Sequence, residues 1–509
     1  MSFRSDSFPG KLYQILLGSF VLVTLAACTE PHTDSINFGL STAPVTLDPR
    51  YATDAVSDRI TRLIYRSPVA FDDHYHAVPD LAVWEPIAPD HYRFRLGESG
   101  RRFHDGGYLT AADIKATYDS VLDPVNASPQ RGSLLMIRRI DVIDDNTVDF
   151  ILDRADPLFP GRLVIGVMPG RLLAAGHAFG RSPVGSGPLQ LQDWPDENSL
   201  TLKRLQDHQT IRFLTVRDPT VRVLKLIRGE VDLLQGDLPP EMTRWLSQQP
   251  AIRVETKEGN TFAYIGFNLE DPVTSRLQIR KAIAHAIDRD AIIEYVMGRA
   301  ARKAGALLPP AHWSGHPGLS GYLYDLDAAR RLLREAGYGD ANPLQLIYKT
   351  SNDPFRLRLA TIIQDQLKAA GIHVTIRSYD WGTFYGDIKS GRFQMYSLSW
   401  VGLKMPDIFR YLFHSSAVPP DGANRGRFKD ARADALIEAA EATPDLERQA
   451  GLYRDLQAWL LEQLPYVPLW YEDTILVTRA DISGYALAAD GNYDGLMTVI
   501  RVQEKDGSH

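Results

Sequence analysis

The order of polar and apolar residues between positions 344 and 378 constrains the fold more than any other feature of this chain. Residues 344–349 and 372–378 have the pattern of strands, and residues 354–370 between them follow a helical pattern that Gly371 ends. Because a strand–helix–strand unit returns the chain in the same direction, its two strands pair in parallel. The pattern predicts an α/β fold with a mostly parallel sheet covered by helices.

The length of the chain requires more than one core. It has 509 residues, whereas single hydrophobic cores stop growing near roughly 250–300 residues. With 44% apolar and 23% charged residues, the composition is typical of a soluble globular protein. A net charge of −7 lacks the basic balance of a nucleic-acid-binding surface. We therefore expect two or three lobes and no nucleic-acid partner.

The N-terminus differs from the rest of the chain. Arg4 and Lys11 precede an apolar run over residues 12–27. This run ends in Leu-Ala-Ala and is followed by Cys28, the single cysteine. A basic start, a short apolar segment and small residues at its end are typical of a secretory signal, here residues 1–27. The segment Leu25-Ala26-Ala27-Cys28 resembles the lipobox of bacterial lipoproteins, in which the cysteine is acylated. The alternatives are a plain signal peptide with an incidental cysteine and an uncleaved anchor.

The sequence lacks the short motifs of common enzymes. It contains no His-Glu-x-x-His, no Gly-x-Ser-x-Gly, no Walker A loop and no Gly-x-Gly-x-x-Gly. Two histidine pairs, His74 with His76 and His312 with His316, have no accompanying set of carboxylates or cysteines. We therefore predict no catalytic residues, no cofactor and no metal site, with an extracytoplasmic hydrolase as the rival class.

Large aromatic rings lie next to glycines in two segments, residues 379–385 and 396–402. Ligand clefts commonly have such apolar walls with a few polar groups between them. Trp381 lies at a predicted turn and Trp400 at a predicted strand end. Both rings are candidates for the wall of a ligand cleft, and the alternative is that they fill a core.

A series of short segments carries a resemblance along nearly the whole chain after Cys28. In order, these segments are Thr46-Leu47-Asp48-Pro49, Leu63-Ile64-Tyr65, Pro79-Asp80-Leu81-Ala82, Phe94-Arg95-Leu96, Phe103-His104-Asp105-Gly106, Leu109-Thr110-Ala111-Ala112-Asp113-Ile114, Gly185-Ser186-Gly187-Pro188, residues 280–289 and residues 328–333. Their number and order resemble those of the large peptide-type (family 5) solute-binding proteins of ABC importers, the class that includes the oligopeptide, dipeptide and nickel receptors.

The resemblance implies a fold and a mode of action. The fold is the three-lobed type II periplasmic-binding-protein fold (class C), with mixed sheets and a hinged cleft. Lobe I would comprise residues 28–66, 181–269 and 472–509, lobe II residues 67–180, and lobe III residues 270–471. The lobes would close around a solute, and a peptide ligand would pair through its backbone with strands of the cleft.

The resemblance also implies a location and partners. The protein would be periplasmic or otherwise extracytoplasmic, monomeric, and held at a bacterial membrane by the lipid on Cys28. It would be a receptor rather than an enzyme, capturing a peptide or peptide-like solute and delivering it to the membrane permease of an ABC importer. The alternatives are a receptor for a non-peptide solute or a metal complex, and an envelope sensor or hydrolase on the same fold.

Four residues match positions that face the ligand in the family. Trp381 and Trp400 match tryptophans that line the peptide cleft. Tyr264 and Asn268 fall where a crossover strand faces the ligand. The resemblance therefore implies a substrate-binding role for these four side chains.

One position departs from the family. Many peptide receptors carry Trp-x-x-Asp here, and this aspartate pairs with the peptide's α-ammonium, whereas this chain has Leu403 three residues after Trp400. A buried ammonium that loses its carboxylate costs about 3–5 kcal/mol. Either Asp407 takes over, or the ligand has no free amine there. The nearby Asn424 and Arg425 lie in a polar loop where arginine could bind a carboxylate bidentately; the alternative is a salt-bridged surface loop.

Overall fold

A computed structural model describes residues 35–420 and 422–502. The predicted signal peptide and Cys28 lie outside these residues. The strands are β1 (Ser35–Leu40), β2 (Val69–Phe71), β3 (Ala77–Pro79), β4 (Ala82–Ala88), β5 (His91–Leu96), β6 (Ile137–Asp144), β7 (Thr147–Leu152), β8 (Leu189–Asp196), β9 (Ser199–Arg204), β10 (Thr210–Thr215), β11 (Leu233–Gln235), β12 (Ile252–Phe267), β13 (Ala301–Lys303), β14 (Leu344–Ser351), β15 (Ile372–Tyr379), β16 (Met395–Trp400), β17 (Tyr466–Arg479), β18 (Ile482–Ser483) and β19 (Ile500–Arg501).

Helices cover the sheets and fill the connections between strands. They are α1 (Ala55–Ile64), α2 (Ala111–Leu122), α3 (Gly170–Ala174), α4 (Pro219–Arg228), α5 (Pro240–Leu246), α6 (Leu277–Ala286), α7 (Arg289–Ala291), α8 (Leu326–Glu335), α9 (Pro354–Ala369), α10 (Trp381–Lys389), α11 (Ile408–Phe413), α12 (Ala431–Glu441) and α13 (Leu446–Gln463). In the described part of the chain, none of them combines the length and apolar character needed to cross a bilayer.

The predicted strand–helix–strand unit is present. β14 and β15 pair in parallel, with Leu344 opposite Ile372, and α9 connects them. Asp353 caps α9 by accepting a hydrogen bond from the Arg356 N–H, and Pro354 occupies the first turn, where a missing N–H costs nothing. Gly371 follows the helix with φ +91°, a backbone conformation that favours glycine. Local sequence chemistry therefore determines both ends of this helix.

The main sheet is mixed, so the expectation of a mostly parallel sheet is wrong. It has 11 strands in the order β15-β14-β16-β12-β17-β11-β1-β10-β9-β8, with β13 beside β17. Parallel pairing is confined to β14 with β15 and β16, and to β1 with β10 and β11. The reason is that two long strands, β12 and β17, run antiparallel to each other through the middle of the sheet and join two partly parallel halves.

Separate cores lie under different parts of the molecule. One cluster of buried side chains packs around β1 and β8–β10, and two others pack around β12, β14, β16 and the helices between residues 277 and 463. A second sheet, β4-β5-β7-β6, has its own core together with α2. β12 pairs with β16 of one half of the main sheet, and β17 pairs with β11 of the other half. Because β12 and β17 also pair with each other, these two strands connect the two halves.

Candidate solute-binding cleft

A cavity of about 220 Å³ lies where β14 and β16 end beneath α9 and α10. Ligands of α/β proteins commonly bind at the carboxyl ends of parallel strands, and β14 and β16 are parallel neighbours. Apolar side chains and backbone form much of its wall. Its polar and aromatic lining includes Thr350, Ser351, Arg356, Trp381, Ser397 and Ser399.

Trp381 forms part of the rim of this cavity. It is the first residue of α10, its side chain is 58% exposed, and its ring stacks on Tyr385 with centroids 5.4 Å apart. The Asp380 side chain caps the helix by accepting a hydrogen bond from the Thr383 N–H at 3.1 Å. Hydrogen bonds from Thr383 also hold the pKa of Asp380 below its usual range. The cap therefore fixes the start of α10 and with it the position of Trp381.

Trp400 does not line the cavity, although its neighbours Ser399 and Val401 do. Side chains alternate across a strand, so Trp400 at the end of β16 lies on the opposite face. There its partly buried ring covers the guanidinium of Arg425, with Cζ 4.6 Å from the ring centroid. In this conformation Trp400 therefore lies outside the cavity lining, and a role in ligand contact stays a prediction for it.

Arg425 joins several of the predicted residues into one cluster. Its side chain is buried, Nη2 donates to the Tyr385 hydroxyl at 3.0 Å, and Nη1 donates to the Tyr264 hydroxyl at 3.4 Å. Among the described residues no carboxylate forms an ion pair with this guanidinium. Arg425 itself is therefore not salt-bridged, whereas Arg427 of the same loop pairs with Glu270 at 3.3 Å. The structure brings together Trp381, Trp400, Tyr264 and Arg425 through Tyr385, which the sequence shows only as part of an aromatic segment.

Two further groups of the cavity could not be identified from the sequence. Arg356 donates to Glu472 at 2.7 Å, a carboxylate 116 positions away that also accepts from the Ser399 hydroxyl at 3.4 Å. Trp470 is buried in the wall, and its Nε1–H has no acceptor among the described residues. Long-range pairing carries no local signal, so only the fold shows these groups to be neighbours.

Tyr348 is a further titratable group of the wall. Burial raises its pKa to about 12, so the hydroxyl stays protonated at neutral pH. No group of three or more His, Cys, Asp and Glu side chains that could hold a metal ion occurs in the described ranges. The wall therefore offers hydroxyls and one paired guanidinium to a ligand.

Asn268 and Asn424 bind neighbouring backbone instead of lining the cavity. The Asn268 amide donates to the Gly391 carbonyl at 3.1 Å and accepts from the Glu270 N–H at 3.0 Å. The Asn424 amide is buried and donates to the Phe428 carbonyl at 2.7 Å. Both amides hold turns in this conformation, and a role in ligand contact stays a prediction for each.

Leu403 and Asp407 also lie outside the lining. The Leu403 side chain is buried among apolar residues, and its carbonyl accepts from the Asn260 amide at 2.8 Å. The Asp407 carboxylate accepts from Arg162 Nη1 at 2.6 Å. Asp407 therefore faces the part of the molecule that contains the second sheet. Pairing with a ligand ammonium would require Asp407 to leave Arg162.

A mixed sheet in two halves, joined by two long strands and enclosing an aromatic-walled cavity beside one half, defines a binding protein for small solutes. Residues 77–419 match the bacterial extracellular solute-binding proteins, family 5 Middle. The chain belongs to this family of bacterial extracellular solute-binding proteins.

Relatives of known name cover almost the whole chain. The chain is 27% identical to di/tripeptide-binding protein 2 of Pseudomonas aeruginosa over 91% of this chain and 92% of the relative. It is 25% identical to the dipeptide-binding protein of Escherichia coli, with 92% and 93% covered. The periplasmic binding protein DppA from Helicobacter pylori, solved with the peptide STSA, superposes with a TM-score of 0.78 at 25% identity, covering 92% and 98%.

These comparisons confirm several predictions. The family membership and the mixed α/β periplasmic-binding-protein fold inferred from the short segments are confirmed. Binding rather than catalysis is the activity of this family, and its members act outside the cytoplasm. The protein is therefore an extracytoplasmic solute receptor and not an enzyme.

Proposed function

We infer that the protein captures a peptide or peptide-like solute in the cavity beneath Trp381 and delivers it to an ABC importer. The observation that carries this inference is the cavity itself, in which the Thr350 and Ser397 hydroxyls lie between aromatic and aliphatic walls. Such donors suit the carbonyl groups of a peptide backbone. The names of the relatives, which are di- and tripeptide-binding proteins, support the same solute class.

Capture proceeds by closure of lobes I, II and III, with the bounds expected from the resemblance. Contacts between these parts support this mechanism. Arg162 of lobe II pairs with Asp407 of lobe III, and Lys404 of lobe III pairs with Asp490 of lobe I at 2.8 Å. The segment that carries Lys404 and Asp407 directly follows β16, which lines the cavity, so ligand contact and lobe contact involve one stretch of chain.

The experiment that tests this function is thermal unfolding of residues 28–509 against a panel of peptides, N-blocked peptides, sugars and metal chelates. A ligand at 100 times its Kd stabilises the folded state by about 2.7 kcal/mol, which shifts the Tm by roughly a few degrees in a chain of this size. We expect shifts with members of the two peptide series. Shifts confined to sugars or metal chelates would contradict the peptide assignment.

The membrane anchor is a separate part of this proposal. Acylation of Cys28 would hold the receptor next to its permease while leaving the monomeric body free to bind solute. We expect Cys28→Ser to move the protein from the membrane fraction to the soluble extracytoplasmic fraction without changing its Tm. A Cys28→Ser protein that remains in the membrane fraction would contradict acylation at this residue.

A further inference from the structure

The cavity contains hydrogen-bond donors but no carboxylate. Among the described residues, none of its lining side chains is Asp or Glu. The groups that it offers are hydroxyls such as Thr350 and Ser397 and the guanidinium of Arg356. A wall of this composition is complementary to the oxygen atoms of a ligand.

The acidic groups closest to this wall are already paired with cations. Glu472 accepts from both Nη atoms of Arg356, at 2.7 and 3.3 Å. Asp387, on α10, pairs with both Lys349 and Arg392. If either carboxylate moved to bind a ligand, the arginine or lysine that it now pairs with would lose its partner. The free energy lost with the old ion pair would offset the free energy gained from the new one.

Positive charge behind the wall is not balanced. Among the described residues, the buried Arg425 guanidinium forms no ion pair and contacts aromatic rings and tyrosine hydroxyls, and the exposed Lys389 ammonium lies 5.1 Å from the Tyr385 ring centroid on the same cluster. Tyr385 in turn stacks on Trp381 of the cavity rim. The Arg425 charge is buried, and like charges repel strongly where water is excluded, so this side of the cleft disfavours a ligand cation.

We propose that the receptor selects solutes that carry no free amine in the cavity, and that its ligands are N-acylated peptides. This proposal rests on the proposed function, since it names the class of peptide that the same cavity binds. A free α-ammonium would lose its hydration and find no carboxylate to replace it. An N-acyl amide presents a carbonyl oxygen to the donors of the wall and removes the charge.

The test compares two matched libraries of di- and tripeptides that differ only in N-acetylation. Titration calorimetry on residues 28–509 follows an initial thermal screen with both libraries. We expect the best N-acetyl peptide to bind at least about tenfold more tightly than its free-amine counterpart, a difference of ~1.4 kcal/mol. Equal or tighter binding of the free-amine peptide overturns the inference and leaves the receptor function intact. Binding of neither library overturns the proposed function and the inference with it.

A pair of variants at Val401 tests the same inference from the protein side. Val401 lines the cavity with its side chain 55% exposed, so a polar replacement leaves the core unchanged. Val401→Asp adds a carboxylate, and Val401→Asn is its uncharged control of the same shape. We expect free-amine peptides to bind Val401→Asp roughly tenfold more tightly than Val401→Asn, as an added ion pair would give. Equal affinities would show that charge in the cavity does not decide selection.

Discussion

Two tryptophans of similar sequence context have different structural roles. Trp381 is mostly exposed at the cavity rim, whereas Trp400 is partly buried, stacks on the Arg425 guanidinium and packs beside an apolar core. The difference arises because Trp381 starts a helix above the cavity and Trp400 lies on the far face of β16. The sequence identifies both rings as candidates. Whether a ring faces the cavity or a core depends on the elements that pack around its helix or strand.

We therefore predict opposite consequences for the two alanine substitutions. Trp400→Ala removes a ring from packed surroundings and should lower the free energy of unfolding by roughly 2–4 kcal/mol. Trp381→Ala should change it by about 0.5 kcal/mol or less while weakening ligand binding. Urea denaturation and calorimetric titration of both variants check this. A stable Trp400→Ala protein that has lost binding would instead place that ring in the cleft.

In helix α10, an exposed N-terminal cap positions a residue of the cavity rim. Its Asp380 cap holds the turn that carries Trp381, and α13 begins with an equivalent cap from Asp445, which accepts from the Arg448 N–H. The α13 helix contributes nothing to the cavity lining. The two caps thus form a matched pair, one at the site and one away from it.

We predict that Asp380→Ala and Asp445→Ala lower the Tm by similar amounts, about 1–3 °C, and that only Asp380→Ala weakens ligand binding. The pKa of Asp380 lies below its ordinary value, so its cap stabilises the fold at neutral pH and this stabilisation is lost as the pH falls through the lowered pKa. Tm measurements at pH 7 and pH 3 check this sign. Equal loss of binding in both variants would contradict a local role for the cap.

Local elements are predictable from this sequence, and their assembly is less so. The β14-α9-β15 unit follows from its apolar pattern, from Asp353 before Pro354 and from Gly371 after the helix. The parallel sheet extrapolated from that unit is wrong, because β12 and β17 are joined by a long excursion of the chain and pair antiparallel. Strand pairing over such separations leaves no periodic signal in either strand.

At the scale of the whole molecule, ion pairs join segments that the proposed bounds assign to different lobes. Arg162 binds both Asp156 and the distant Asp407, while Lys404 binds Asp490. Although burial opposes ionisation of Asp490, its pairing with Lys404 holds its pKa below the usual range. This pair is therefore present at neutral pH and is lost as the pH falls through that lowered pKa.

We predict that Asp407→Asn weakens closure and speeds ligand release. Losing one partly exposed ion pair costs about 0.5–1 kcal/mol, or roughly two- to fivefold in an equilibrium. Glu441→Gln, which removes an ion pair with Arg410 inside lobe III, is the control and should leave release unchanged. Stopped-flow dissociation of bound ligand measures both. Unchanged release in Asp407→Asn would indicate that the pair does not contribute to closure.

Part of the candidate site follows from sequence and part requires the fold. Trp381, Trp400, Tyr264 and Arg425 were predicted, and the structure joins them into one cluster. Arg356 with Glu472 and the buried Trp470 were missed, since none of them lies in a motif. Asn268, Leu403, Asp407 and Asn424 were also predicted, but backbone contacts, core packing and a lobe contact engage them in this conformation.

The central claim, that this receptor binds its solute in the cavity beneath Trp381, is tested most directly by filling that cavity. Calorimetry would compare Ser399→Phe, which places a ring inside it, with Thr375→Phe, which adds the same ring on the exposed surface of β15. We predict at least about 100-fold weaker binding in Ser399→Phe, ~2.7 kcal/mol, and wild-type affinity in Thr375→Phe. A folded Ser399→Phe protein with wild-type affinity would contradict the claim.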